Sequence, residues 1–422
     1  MSAGTIETNW SGNYTYRAHA IHHPTGLDEL RGLLTGRDRA RVLGSRHSFT
    51  AIADAPELIS LDRMPGEITV DRAASTVSLP GHVTYAELAE VLNRDGVALA
   101  SMASLPHISV AGAIATATHG SGDERGNLAT AVTELELVTP EGEVITTRRG
   151  EPDFDGLVVG LGALGAVTRV TLTVEPYYEM SQRVFTGLSW EALAEYYDAI
   201  TAAGDSVSVF HLFGERTEQL WIKRRVDRDQ PGDADEPEAL FDAAPAAAAC
   251  HPVLGADPIN CTAQLGAVGP WSERLPHFRS GFTPSSGEEI QSEFFVARPD
   301  AMATLAAVRE LAAEIRPLLL TSELRTIAAD TLWLSPQYGR PTTAIHFTWR
   351  RRQSEVEQVV ARIEAALAPF AARPHWGKLF GARAETLAPL YPRIEDFRRL
   401  RARLDPRGVL VNDWLRDRVL GA

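Results

Sequence analysis

Two short stretches of the sequence set reactive side chains at a spacing of two. In LLLTSELRTIA, Thr321, Glu323 and Arg325 fall on one side of an extended chain. In TTAIHFTWR, Ala344, His346 and Thr348 fall opposite Ile345, Phe347 and Trp349. An imidazole, a carboxylate and a guanidinium gathered in this way can move a proton and hold developing charge. A pair of sheet strands with one solvated face accounts for the same alternation without any chemistry.

A third stretch, VLGSRHSFTAIAD, puts His47 in a small polar loop. Gly44 permits tight curvature, and Ser45 and Ser48 with the loop amides offer donors suited to an anionic ligand group; a satisfied polar loop histidine is the plainer reading. The block SMASLPHISVAGAIATATHGSG, residues 101–122, has almost no large side chain after Ile108 apart from Ile114 and His119. Backbone there can approach a flat or elongated cofactor, or pack tightly at a helix-to-loop junction. GLGALG at Gly160–Gly165 matches G-x-G-x-x-G, which binds dinucleotides only when a strand enters and a helix leaves. Here the short helical pattern EPDFDGLVVGLGALG precedes it and the β-branched AVTRVTLTVEP follows, which argues against a nicotinamide site.

The elements that must position these residues read as α+β. At 422 residues and 44% apolar content, two domains are expected. Residues 17–175 alternate β-rich runs (RARVLG, ELISLD, GEITVDRAASTVSLP) with helical ones such as TYAELAEVLNRDG. Thr84 and Glu87 form a capping box for that helix, and Gly96 stops it. PEG is the turn of a hairpin within NLATAVTELELVTPEGEVITTRRG. After Glu175–Pro176 the helical SWEALAEYYDAITAAG precedes the strands SVSVFHLFG and QLWIKRRVD, placing a domain boundary near residue 178. The acidic, Pro/Ala-rich segment Asp227–Ala249 reads as a surface excursion.

The net charge of −14 repels phosphate backbones and anionic lipid, and no basic run goes beyond the three residues of Arg350–Arg352, so neither nucleic acid nor membrane is expected as a partner. MSAGTIETNWSGNY lacks the features of a secretory signal, and no apolar stretch reaches 18 residues, which suggests a cytoplasmic protein. Cys250 and Cys261 are too few for a disulfide framework or a four-thiolate metal site, and adjacent His22 and His23 suit a metal poorly on a strand. No metal is expected.

Taken in order, GSRHSF, SLPHISVAGAIATATHGSG, GLGALGAVTRVTL, SELRTI, AIHFTW, PHWGK and LDPRGVLVNDWL resemble the vanillyl-alcohol-oxidase-type FAD enzymes, and within them the bacterial alditol (xylitol) oxidases. The resemblance implies an FAD-binding domain at 1–178 and a substrate (cap) domain at 179–375, built on an antiparallel sheet with flanking helices. Residues 376–422 return to the first domain. Leu410 stands where many relatives carry an aromatic, a departure expected to affect packing. By the same resemblance His47 is joined covalently to the flavin 8α-methyl, which needs a neutral imidazole as nucleophile. Gly44, Ser45, Arg46, His47, Ser48, Ser109, Gly112, Thr118, His119, Gly120, Gly122, Gly165 and Val167 are the implied cofactor-binding residues.

The resemblance also implies a pocket over the flavin lined by Ser109, Glu323, Arg325, His346, Thr348 and Lys378. With His47 committed to the flavin, His346 is the candidate base; Arg325 and Lys378 would stabilise a developing alkoxide, an effect of about 3 kcal/mol for one well-aimed donor. Glu323, Thr348 and Ser109 would pair the remaining hydroxyls of a polyol, and Glu323 could also orient Arg325. Trp376 carries no assigned role. The implied reaction oxidises the terminal primary hydroxyl of an alditol such as xylitol or sorbitol to the aldehyde, with O2 reduced to H2O2. An oxidase or dehydrogenase of aldono-1,4-lactones is the alternative. A non-catalytic carbohydrate-binding protein would have shed the pocket charges, and none is shed.

Overall fold

The computed structural model of the protein describes residues 8–226, 240–281 and 288–421. Residues 227–239, most of the expected acidic excursion, lie outside them; the described end of that segment is largely exposed and contributes the short strand Ala244–Pro245.

The first part of the chain builds two sheets. Ala20–His22, Glu57–Ser60 and Ala40–Leu43 pair in parallel, in that order. Thr69–Asp71, Thr76–Pro80, Ala166–Thr173, Val132–Val138 and Val144–Arg148 form an antiparallel sheet of five. The last two are the hairpin closed by Pro140–Gly142, with Gly142 at φ +81°. The helix Tyr85–Arg94 starts on the expected capping box: Glu87 N–H donates to Thr84 Oγ1, and the Glu87 carboxylate accepts from Thr84 N–H. Gly96, at φ +65°, follows its end.

Past Glu179 the chain enters a second antiparallel sheet of nine strands among the described residues. Its central order is Gln219–Val226, Ser206–His211, Leu319–Ile327, Thr342–Arg350, Glu289–Ala297, then the short Arg373–Pro374. Helices lie outside both large antiparallel sheets, so the molecule is α+β as expected. Among the described residues no helix is long and apolar enough to cross a membrane.

Alternation decides how the second sheet packs. Ile345, Phe347 and Trp349 share a core with Leu305, Val308, Val356, Val360 and Ile363 of the helices Ala301–Arg309 and Gln353–Leu367. The opposite side of the same strands is polar yet buried: Glu323, Arg325, His346 and Thr348 are each at most 6% exposed. A solvated polar face is thereby ruled out, and charges this deep must be paired or serve a site.

The tail crosses back to the first part. Ala40 N–H donates to Val409 O, and Val409 and Leu410 share a core with Leu30, Leu34, Ile59 and Val138. The buried guanidinium of Arg41 donates to the carbonyls of Ile52, Leu161, Gly162 and Leu410, tying three distant segments to one strand. Trp376 is wholly buried, donates to Leu334 O and packs on Tyr391 and Trp414.

Candidate active site

Register brings the reactive residues into rows. Strand 319–327 sets Glu323 opposite His346 and Thr321 opposite Thr348; strand 289–297, on the other side, sets Glu293 opposite His346 and Gln291 opposite Thr348. Side chains in one row across three strands project to the same face, so Glu323, His346 and Glu293 face one cavity of about 280 Å³ with Thr321, Gln291, Thr348, Arg325 and Lys378. Glu293 and Gln291 were not anticipated. Their signal is present in EIQSEFFVA, where Glu289, Gln291 and Glu293 keep the same spacing of two.

Glu293 organises the cations. Its Oε2 accepts from Lys378 Nζ at 2.7 Å, and its Oε1 lies 3.1 Å from Arg325 Nη2 and 3.2 Å from His119 Nε2. Burial alone would raise its pKa, but Lys378, His119 and Arg325 hold the carboxyl well below its usual range. Arg325 Nε also sits 3.5 Å from Glu323 Oε2, so Glu323 helps to orient it. Glu323 is held low in turn by Arg325 and His277 against the effect of burial. Arg325 and Lys378 therefore do not face the cavity as free cations: each is matched by a buried carboxylate, because an unpaired buried charge is too costly to keep.

His346 is neutral. Burial, reinforced by Lys378, holds its pKa well below 6.5. The amide N–H2 of Gln291 donates to Glu289 Oε1 at 2.9 Å, which leaves its carbonyl oxygen to accept from His346 Nε2–H at 3.1 Å. The lone pair of His346 Nδ1 is then uncommitted; that atom is buried, has no hydrogen-bond partner and lies 4.0 Å from Glu323 Oε2. His277, also unanticipated, lines the cavity and donates from Nε2 to Glu323 Oε1 at 2.9 Å.

His119, Glu293 and His375 gather ligand atoms within 4.8 Å of one another. Both oxygens of Glu293 are already engaged by Lys378 and Arg325, and a divalent ion there would meet two fixed positive charges about 3 Å from its carboxylate. The donor set suits an ion-pair cluster better than a metal.

A second cavity, of about 390 Å³, continues from the first. Val42–Arg46, Gly112, Ala115 and Gly162 line both, so the two form one elongated trough that runs past the loop after strand Ala40–Leu43. His47, Ser48, Thr118 and His119 lie on the first cavity; Ser109, Gly165 and Val167 lie on the second. Ser109 Oγ is without a partner and sits against Gly44 and Gly112, where a Cβ would approach it to 3.0 and 2.8 Å. Ser109 is thus at the junction and apart from the strand cluster. Gly120 and Gly122 line neither cavity, contrary to the cofactor-binding role expected of them: a Cβ on Gly120 would meet Ser101 Oγ at 2.5 Å and Met102 O at 2.7 Å, and Gly122 N–H donates to Thr326 O. Close packing of chains explains both glycines.

Both ring nitrogens of His47 are buried and unpartnered. Burial, with His107 beside it, pushes its pKa down to about 3, and Trp10 stacks on it at 5.3 Å. A neutral, buried imidazole held no more closely than by the Ser45 backbone, beside a trough whose glycines leave room for a ligand, fits an extended flavin nucleotide. The GLGALG turn runs from a helix, Phe154–Val158, into a strand, Ala166–Thr173, as expected, so no helix N-terminus meets a phosphate there.

Comparison with known proteins agrees with this geometry. Residues 34–148 match the family described as FAD binding domain, and residues 289–418 match D-arabinono-1,4-lactone oxidase. An alditol oxidase of Streptomyces sp. is 47% identical over 98% of this chain and 99% of its own length. An L-gulono-1,4-lactone dehydrogenase of Mycobacterium tuberculosis is 28% identical over 99% of both chains. The crystal structure of cholesterol oxidase from B. sterolicum superposes with a TM-score of 0.79 at 13% identity, covering 97% of this chain and 96% of its own, which establishes a shared fold.

Proposed function

The chain belongs to the alditol oxidase family of FAD-binding enzymes, and from that premise we propose that it oxidises the terminal primary hydroxyl of an alditol to the aldehyde, O2 being reduced to H2O2. The observation that carries the reading is the buried row Glu323–His346–Glu293, which opens onto the same trough as His47. Bound FAD supplies the two-electron acceptor. Gly44, Ser45, Arg46, Ser48, Ser109, Gly112, Thr118, His119, Gly165 and Val167 hold it, and His47 is its covalent attachment, for which a neutral imidazole is the required form.

In this reading His346 Nδ1 receives the hydroxyl proton, since Gln291 occupies the other ring nitrogen. Arg325 and Lys378 stabilise the oxygen as it gains charge. Their pairing with Glu293 lowers the field they exert, so the pocket favours a partial alkoxide that forms together with hydride loss over a free one. Glu323 and Thr348 pair the remaining hydroxyls, whereas Ser109, on the second cavity, is left to the cofactor; a buried polar pocket of this kind rejects analogues lacking those hydroxyls.

The test is peroxide release in air with xylitol and an aldono-1,4-lactone side by side. Peroxide with xylitol alone is expected. Peroxide with the lactone alone would transfer the function to the lactone-oxidising relatives. For the covalent link, acid-precipitated protein is expected to stay yellow; a colourless pellet from yellow protein would remove the attachment at His47.

A further inference from the structure

Of the 41 basic side chains in this protein only two are lysines, Lys223 and Lys378. Both are buried beside the pocket carboxylates. Lys378 belongs to the site described above, whereas Lys223 lines neither cavity and lies within strand Gln219–Val226. Its Nζ donates to Leu275 O at 2.6 Å and to Pro276 O at 3.1 Å, and it lies 3.2 Å from His277 Nδ1. His277 Nε2 in turn reaches Glu323 Oε1 at 2.9 Å. Register sets Lys223 on the same face of the sheet as Glu323, so a buried chain of three side chains runs along that face into the pocket.

The donor count makes this chain bistable. An ammonium has three N–H groups and meets three acceptors here, one of them His277 Nδ1. That bond fixes the proton of the neutral imidazole on Nε2, where it is donated to Glu323. A neutral amine has only two N–H groups for these three acceptors, of which Pro276 O also accepts from Thr262 Oγ1 at 2.8 Å; the switch requires that Leu275 O and Pro276 O keep both, so that the amine turns its lone pair toward Nδ1. The imidazole proton then moves to Nδ1, and Nε2 confronts the carboxylate lone pair to lone pair.

We propose that Lys223 is a positioning residue for the substrate site: its charge state selects the tautomer of His277, and that tautomer decides whether Glu323 is held to receive substrate hydroxyls. The inference rests on the reading of Glu323 as a substrate-binding residue. Arginine, which supplies the other 39 basic residues, could not serve, because its guanidinium does not lose its proton in proteins.

The surroundings place the switch in an accessible range. Burial pushes Lys223 down to about 7; Glu323 and Cys261 oppose the fall, and Arg325 and Arg274 add to it. Burial, with Lys223 next, pushes His277 down to about 4, so it stays neutral throughout. Below about pH 7 the ammonium is present and Glu323 is held; above it the hold is released and KM for substrate rises.

Two measurements decide the matter. Protein labelled with 13C,15N-lysine gives signals from two side chains only, and the one lost in Lys223→Met should titrate near pH 7, together with a change of His277 from the Nε2–H to the Nδ1–H tautomer in 15N-histidine spectra. The KM for xylitol should rise at least about threefold between pH 6 and 8.5 in the native protein, the scale of a weakened neutral hydrogen bond. It should rise by less than about 1.5-fold in Lys223→Met, which has no titrating group, and in His277→Gln, whose amide N–H stays on Glu323 at every pH. A titration near 10.5, or an undiminished rise of KM in His277→Gln, overturns the proposal, as does a tautomer of His277 that never changes. A purely structural Lys223 would cost stability in Lys223→Met and leave the pH dependence of KM intact. If Lys223→Met does not fold, His277→Gln and the native lysine spectra still decide. If xylitol is not turned over at any pH, the functional reading fails, while the substrate-free titration still decides the relay.

Discussion

At the scale of single residues, the proposed roles separate proton transfer, given to His346, from charge storage, given to the buried carboxylates and their cations. His346 has one ring nitrogen committed to Gln291 and the other open, so His346→Ala should lower turnover at least about a hundredfold, the usual contribution of a positioned acid-base group. Stopped-flow reduction of bound flavin would measure this, and near-normal reduction would exclude His346 as the base. Gln291→Leu removes the tautomer lock together with the bond to Glu289; the loss of about 1.5 kcal/mol of hydrogen bonding to His346 should slow reduction by about tenfold. Glu293 has a different weight. Three basic side chains converge on it, and Glu293→Gln leaves the buried Lys378 ammonium without its ion-pair partner while Arg325 keeps Glu323, which should cost about 3–5 kcal/mol in a urea unfolding measurement.

At the scale of elements, the proposed site is a row across strands 319–327, 342–350 and 289–297. The capping box of helix Tyr85–Arg94 and the hairpin at Pro140–Gly142 were legible in the sequence because each is settled within a few residues. So were the two faces of the strands carrying Glu323 and His346. Glu293 escaped notice because it reaches His346 across more than fifty residues, and because adjacent Phe294 and Phe295, both buried, blur the alternation in its strand. The small-residue block was legible as a place of close approach, but not which glycines approach a ligand and which approach protein. That difference is measurable. Gly120→Ala sets a Cβ against the fixed carbonyl of Met102 and should cost about 1–3 kcal/mol of stability, whereas Gly44→Ala faces only the rotatable Ser109 hydroxyl and should fold normally while binding less flavin.

At the scale of the whole molecule, the two sheets share one apolar core that carries buried neutral histidines. Burial pushes His211 down to about 3 and His277 down to about 4, against 6.5 for a free imidazole. As pH falls, the unfolded chain binds these protons first, so the stability they contribute is complete above about pH 6.5 and is lost as pH falls toward 4 and 3. Each group weakens the fold by up to about 1.4 kcal/mol per pH unit over that span, and a series of thermal unfolding curves from pH 7 to 5 should show the melting temperature falling throughout. Arg41 acts over the same distance without titrating in this range. Its guanidinium collects carbonyls from residues 52, 161, 162 and 410, and the neighbouring Ala40 bonds to Val409. During synthesis the first sheet is therefore made long before its last hydrogen-bond partners leave the ribosome, and the nine-stranded sheet is complete before them. Strand Ala40–Leu43 completes its hydrogen bonds only when residues 409 and 410 have been made and have packed back against it, and the loop that leaves this strand, Gly44–Ser48, lines the cofactor trough.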